Sequence, residues 1–141
     1  MVRLKHRWIV GQILFEPGDT VQDFSSQDIQ NAVREKINLL YGDMGMGMIP
    51  SSLVRFYDAE SHFFVVRTLR ETLQNVWFAL SCVTSVMKKN TTLRVLRVAG
   101  SSKTCTSYLR DMFPKITTKE NLSETDLGKR KHVFMSQLDN I

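Results

Sequence analysis

Three groups of residues in this chain have the types and spacing to hold phosphate. The first is Gly100-Ser101-Ser102-Lys103-Thr104-Cys105, where a β-branched run gives way to a helical pattern. Gly100 lets the strand turn sharply, and either serine can cap that helix. The free N–H groups and positive dipole end of a helix, with Lys103 in its first turn, suit an anion. A plain capped helix is the competing reading. A nucleotide-binding P-loop is not, because the first glycine and the spacing of G-x-x-x-x-G-K-[ST] are missing. The second group is the basic N-terminus with Arg3, Lys5, His6 and Arg7, and the third is Arg67 with Arg70. Charge distribution ties them together. Residues 1–10 hold three bases and no acid, and residues 61–110 hold eight Lys or Arg against the single acid Glu71. Residues 11–60 are the reverse, with eight acids and three bases. Two positive blocks that a fold can bring together are the pattern of a polyanion-binding face, or else of a solvated surface that keeps the chain soluble.

Other chemistry finds little support. His6, His62, His132, Cys82 and Cys105 have no metal-ligand spacing. No carboxylate pair suggests general acid–base work, so the expectation is a chain that is not itself an enzyme and carries no cofactor. Two cysteines imply no disulfide framework and fit a reducing compartment. The longest apolar runs fall far short of the ~20 residues that span a bilayer, and no signal peptide follows the basic start. With 141 residues, 43% hydrophobic and 23% charged, one globular domain is expected. The run Ser61-His-Phe-Phe-Val-Val-Arg-Thr68 lacks the glycine and spaced aromatics of a base-stacking RNA-recognition sheet.

Elements that position these groups follow from periodicity. Trp8–Phe15 reads as a strand in which Gly11 marks a bulge or a close backbone approach, ended by the turn residues Glu16-Pro17-Gly18-Asp19. Ser25, Ser26 and Asp28 signal an N-cap, and Ile29, Val33, Ile37 and Leu40 a helical stripe stopping at Gly42. Gly42–Pro50 reads as a mobile loop whose Met44, Met46 and Met48 either fill space or offer an adaptable partner-binding surface. Leu53–Tyr57 and Phe63–Val66 are strands joined by the turn Asp58–Ser61. Leu69, Leu73, Val76, Trp77, Leu80, Val83 and Met87 keep a helical rhythm, predicting one long helix followed by a turn at Lys88-Lys89-Asn90. Leu93–Ala99 is a fourth strand, and a third helix runs from the Gly100 junction to near Pro114. A polar linker, Thr117–Thr125, leads to a weak helix candidate over Leu127–Leu138 that contains Lys129-Arg130-Lys131-His132.

The order β-α-β-β-α-β predicts an α+β, ferredoxin-like (RRM-like) sandwich: a four-stranded antiparallel sheet with two helices on one face, plus an extra C-terminal helix. The domain boundary is placed after residue 113, with 114–141 as a tail. Neighbouring strand residues are apolar on both faces, Phe63 with Phe64 and Val95 with Leu96. The second face therefore needs cover, from the third helix and tail or from a partner protein.

Several stretches resemble the processing-of-precursors protein five family, the small ferredoxin-like protein subunit of ribonuclease P and ribonuclease MRP. They are Met1-Val-Arg-Leu-Lys-His-Arg7, Gly42 and Gly45, Val54-Arg-Phe-Tyr57, Arg67 leading to Val76-Trp-Phe-Ala-Leu80, and Val98-Ala-Gly-Ser-Ser-Lys-Thr-Cys105. The resemblance covers about the first 112 residues. The tail departs from it, since this chain lacks the longer acidic extension frequent in eukaryotic relatives. The resemblance implies a non-catalytic subunit that braces a catalytic RNA in tRNA 5′-end maturation and rRNA processing. It also implies a thirty-kilodalton barrel-type protein partner, contact with precursor tRNA only through the assembly, Mg2+ required by the RNA and not by this chain, no membrane, and a nuclear, nucleolar location. Two other classes stay open: an interaction module whose basic face is incidental, and a small acyl-phosphate hydrolase on the same fold.

Overall fold

A computed structural model describes residues 3–16, 24–48, 52–117, 123–139 and 141. The turn at Pro17-Gly18-Asp19, the end of the methionine segment at Pro50 and most of the polar linker lie outside them. The first strand, β1 (His6–Phe15), is central. It pairs antiparallel with β3 (Phe63–Leu69) on one side and β5 (Lys89–Ala99) on the other. β2 (Leu53–Tyr57) flanks β3, and a two-residue strand β4 (Ser85–Val86) flanks the start of β5, giving the order β2-β3-β1-β5-β4. The ferredoxin-like arrangement of the four main strands is present, but the sheet has five strands rather than four.

Both sheet faces are packed. Helices α1 (Ser26–Tyr41) and α3 (Leu73–Cys82) cover one face, where Ile9, Ile13, Phe64, Val66 and Leu93 meet Ile29, Val33, Ile37, Val76 and Leu80. On the other face Val10, Phe63 and Val65 meet Cys105, Leu109 and Phe113 of α4 (Ser102–Thr117) and Phe134 and Leu138 of α5 (Glu124–Leu138). Each of these large side chains contributes roughly 1.5–3 kcal/mol by leaving water. The chain's own last two helices thus supply the cover that its two-sided strands require. Burial also raises the Cys105 thiol to about 12, so alkylation of the native protein should label the half-buried Cys82 and spare Cys105.

Capping follows the sequence closely. Ser25 and Asp28 form a reciprocal box: the Ser25 amide donates to Asp28 Oδ2 at 2.8 Å and the Asp28 amide to Ser25 Oγ at 3.3 Å. The α1 stripe ends one residue early, because Leu40 is exposed. Gly42 then takes φ 59° and the chain enters a short helix, α2 (Asp43–Met48), where a loop was expected. Gly45 allows that turn, since a Cβ there would lie 2.6 Å from Ile37 O. Gly11 is likewise required: its Cβ would stand 2.5 Å from Phe64 Cζ and 2.7 Å from Arg94 O, at a register shift in the β1–β5 pairing.

The helix expected from Leu69 to Met87 is a larger correction. Leu69 belongs to β3 and pairs with His6, residues Arg70–Thr72 form a 3-10 turn, and α3 spans only ten residues. Val83-Thr84-Ser85-Val86 is rich in β-branched residues and runs extended into β4. Val83 and Val86 are buried as their helical spacing suggested, but through a strand. Lys88-Lys89-Asn90 is therefore no helix terminus. Met87 and Lys88 adopt φ 49° and 64° in a two-residue turn between β4 and β5. Further on, Pro114 does not end α4, which runs on to Thr117.

The β2–β3 turn is closed by Asp58. Its amide donates to Phe63 O at 2.9 Å, and its carboxylate accepts from the Ser61 amide at 3.2 Å and from the Ser61 hydroxyl. His62 follows at φ 64°, edge-on to Phe15, with its proton affinity lowered by burial against a smaller opposing pull from Asp58. A base held below its unfolded value binds fewer protons when folded, so stability is lost as the pH falls below about 6.5. Urea midpoints should drop more steeply there for the native chain than for His62→Asn, which tolerates the same backbone conformation.

Candidate nucleic-acid interface

Antiparallel pairing brings the start of β1 beside the ends of β3 and β5. His6 faces Leu69 and Arg7 faces Thr68, while Trp8 lies between Arg67 on one side and Ala99 on the other. The Arg70 amide donates to Lys5 O at 2.9 Å, which extends this pairing beyond the strands. Gly100, Ser101 and the first turn of α4 come immediately after Ala99. The N-terminal arm, Arg67, Arg70 and Lys103 are thus gathered at one end of the sheet, with Arg67 and Ala99 two strand spacings, roughly 10 Å, apart. Arg3, Lys5, Arg70 and Lys103 are exposed, and His6, Arg7 and Arg67 are half-buried. Among the described residues, no acid forms an ion pair with any of these cations, whereas Arg130 is paired with Asp58 and Glu60.

The α4 junction corrects one expectation and sharpens another. Ser101 is the cap: its hydroxyl accepts from the Thr104 amide at 3.1 Å and lies 2.8 Å from the Thr104 hydroxyl. The amides of Ser102 and Lys103 sit in the first turn, where a helix supplies no acceptor of its own. Gly100 does not adopt a left-handed conformation, and a Cβ there would meet nothing within 4 Å. Its glycine is thus not needed for a sharp turn; it keeps space open before the helix end. Gly100→Ala should fold with unchanged stability yet weaken RNA binding if a phosphodiester approaches that opening, read by comparing denaturation midpoint with affinity.

One group that the sequence did not single out belongs here, the Trp8 indole N–H. Trp8 Nε1 and Arg67 Nε are buried on neighbouring strands, and neither has a hydrogen-bond partner among the described residues. Each costs about 1–3 kcal/mol when left unmet. No sequence signal marks Trp8 as a donor, because its neighbours read as ordinary strand. Arg94 and Arg97 lie outside this cluster, further along β5 opposite Gln12 and Val10. Three apart, they should face opposite ways on a strand. The register, however, runs from Val10–Arg97 to Gly11–Val95, bypassing Leu96, and turns both arginines to the α4 side, where Arg97 lies 5.2 Å from the Tyr108 ring. Gly11 was the signal. Of the methionines, Met44 is exposed on α2, while the side chains of Met46 and Met48 lie outside the described residues.

Comparison with known proteins decides the family. The model of the Rpp14/Pop5 family matches residues 7–110. The chain belongs to the Rpp14/Pop5 family. Relatives include "Ribonuclease P/MRP protein subunit POP5" of Schizosaccharomyces pombe, 25% identical over 113 residues and covering 73% of this chain and 81% of the relative. The protein of that name from Homo sapiens is 25% identical over 114 residues, covering 77% and 70%. "Ribonuclease P protein component 2" of Thermococcus gammatolerans is 28% identical over 102 residues, covering 72% and 80%. In three dimensions the chain matches a chain of the "Cryo-EM structure of yeast Ribonuclease MRP" with a TM-score of 0.58 at 12% identity, covering 72% of this chain and 79% of that one, a likeness of fold. The Rpp14/Pop5 match starts at Arg7 and ends at Arg110, so β1 from Arg7 onward, β3 and the α4 junction lie within it, while Arg3, Lys5, His6 and all of α5 lie outside.

Proposed function

We propose that this Rpp14/Pop5 chain is a non-catalytic protein subunit of a ribonucleoprotein endonuclease of the ribonuclease P/MRP kind. It grips RNA backbone while the RNA performs tRNA 5′-end maturation and rRNA processing. The observation that carries the reading is the gathering of cations at one sheet end around two buried donors, Trp8 Nε1 and Arg67 Nε, that have no acceptor among the described residues. A phosphate supplies acceptor oxygens and negative charge together, and such contacts position RNA without reading its bases. The names carried by the relatives support the same reading. Arg3, Lys5, His6, Arg7, Arg67, Arg70 and Lys103 are the proposed contacts, with Gly100–Thr104 as the phosphate-facing helix end. Mg2+ in such an assembly sits on RNA phosphates, which it prefers to dedicated protein cages. A barrel-shaped thirty-kilodalton partner and a nucleolar location complete the proposal.

One feature favours a protein partner as well. Trp77 and Phe78 are adjacent and exposed on α3, a helix with no charged residue. The interaction-module reading no longer has the second sheet face available, since α4 and α5 fill it. Purifying the tagged full chain and sequencing the RNA that accompanies it separates the two readings. Enrichment of a ribonuclease P or MRP RNA is expected, whereas protein partners without RNA would overturn the proposal. The pure chain should leave precursor tRNA uncut and acyl phosphates intact.

A further inference from the structure

We infer that the outer edge of β5 receives an extended, acidic segment of a partner protein, added to the sheet as a further strand. β5 is paired with β1 from Thr91 to Ala99, but on its other side β4 reaches only Lys89 and Asn90, with the Thr91 amide donating to Thr84 O at 2.9 Å. From Thr92 to Ala99 the described residues provide no second neighbour. Such an edge presents amides and carbonyls in alternation, which another polypeptide backbone matches at strand spacing. A phosphodiester chain offers acceptors for the amides but, apart from its ribose hydroxyls, no donors for the carbonyls, so an RNA strand fits less well.

Charge specifies the occupant. Thr92, Arg94 and Arg97 are exposed and share the α4 side of the strand, as their pairing with Leu14, Gln12 and Val10 shows. The Arg97 guanidinium is held against the Tyr108 ring. No Asp or Glu occurs between Glu71 and Asp111. A second copy of this chain pairing along the same edge would oppose arginine to arginine, which is unfavourable directly across a strand pair. An acidic segment gains from the same two charges. The bulge at Leu96 and the arginines also guard against indiscriminate strand addition, leaving the edge open to one type of partner.

Hydrogen exchange and cross-linking in the assembled particle test this. The tagged full chain is purified free and in its native assembly, with Thr92 replaced by a photoreactive amino acid in a parallel preparation. Those amides of residues 92–98 that point away from β1 should exchange roughly tenfold or more slowly in the assembly. The cross-link should map to a protein segment with at least two Asp or Glu within a strand's length. R94E/R97E should abolish the protection while RNA content stays unchanged. Equal exchange in the two forms, a cross-link to RNA or to a neutral or basic segment, or protection that survives R94E/R97E overturns the inference. A particle lacking RNA would instead count against the proposed function.

Discussion

Arg130→Met should destabilise the folded chain by about 3–5 kcal/mol, the cost of leaving a buried charge without its partner. Arg130 lies on α5 with its side chain almost wholly buried, bonded to the buried Asp58 carboxylate and at 2.5 Å to the more exposed Glu60. Its guanidinium also stands 5.7 Å from the Phe134 ring and 6.0 Å from the Phe113 ring, joining both helices of the second face. The substitution strands Asp58 beneath α5, whereas Asp58→Asn in the same chain keeps an acceptor for Ser61 and removes the charge. R130M/D58N should therefore recover most of the loss, as seen in urea midpoints at constant m-value. If R130M alone unfolds at the native midpoint, α5 is not held by this pair.

The second large effect concerns RNA. Arg67→Ala should weaken binding by about 1.5–3 kcal/mol, the range for a hydrogen bond to a charged group, or roughly tenfold to over a hundredfold. Arg67→Lys should recover little, because a lysine ammonium does not reproduce the buried Nε donor position. Trp8→Phe removes the other unmet donor, so folding stability should hold or rise while RNA affinity falls. A role confined to packing predicts the opposite, with both quantities falling together. Denaturation and filter-binding measurements on the same three variants separate the two. Should all three bind RNA like the native chain, the pair of buried donors has some other acceptor.

Much of this was written in local sequence. The cap at Ser25, the paired strands around Asp58–Ser61 and the two-sided apolar strands could be read because capping, turn and alternation signals act over a few residues. Sequence also placed the cations in two blocks, and the antiparallel register joined them. The long helix does not form because Leu69, Val83 and Met87 repeat at helical spacing by coincidence, while pairing of Leu69 with His6 and the β-branched Val83–Val86 run are decided by contacts far away in sequence. The unmet donor on Trp8, the common face of Arg94 and Arg97, and the burial of Arg130 within a basic run had no local signature. Each depends on what another element brings alongside.

The most direct test of an RNA-gripping sheet end is the salt dependence of binding by the full chain and its K5A/K103A variant to the RNA that co-purifies with it. Each neutralised phosphate contact releases counterions, so the variant's plot of log affinity against log salt should be flatter by roughly two units, with equal weakening on all RNA sequences. An unchanged slope and affinity would contradict the account.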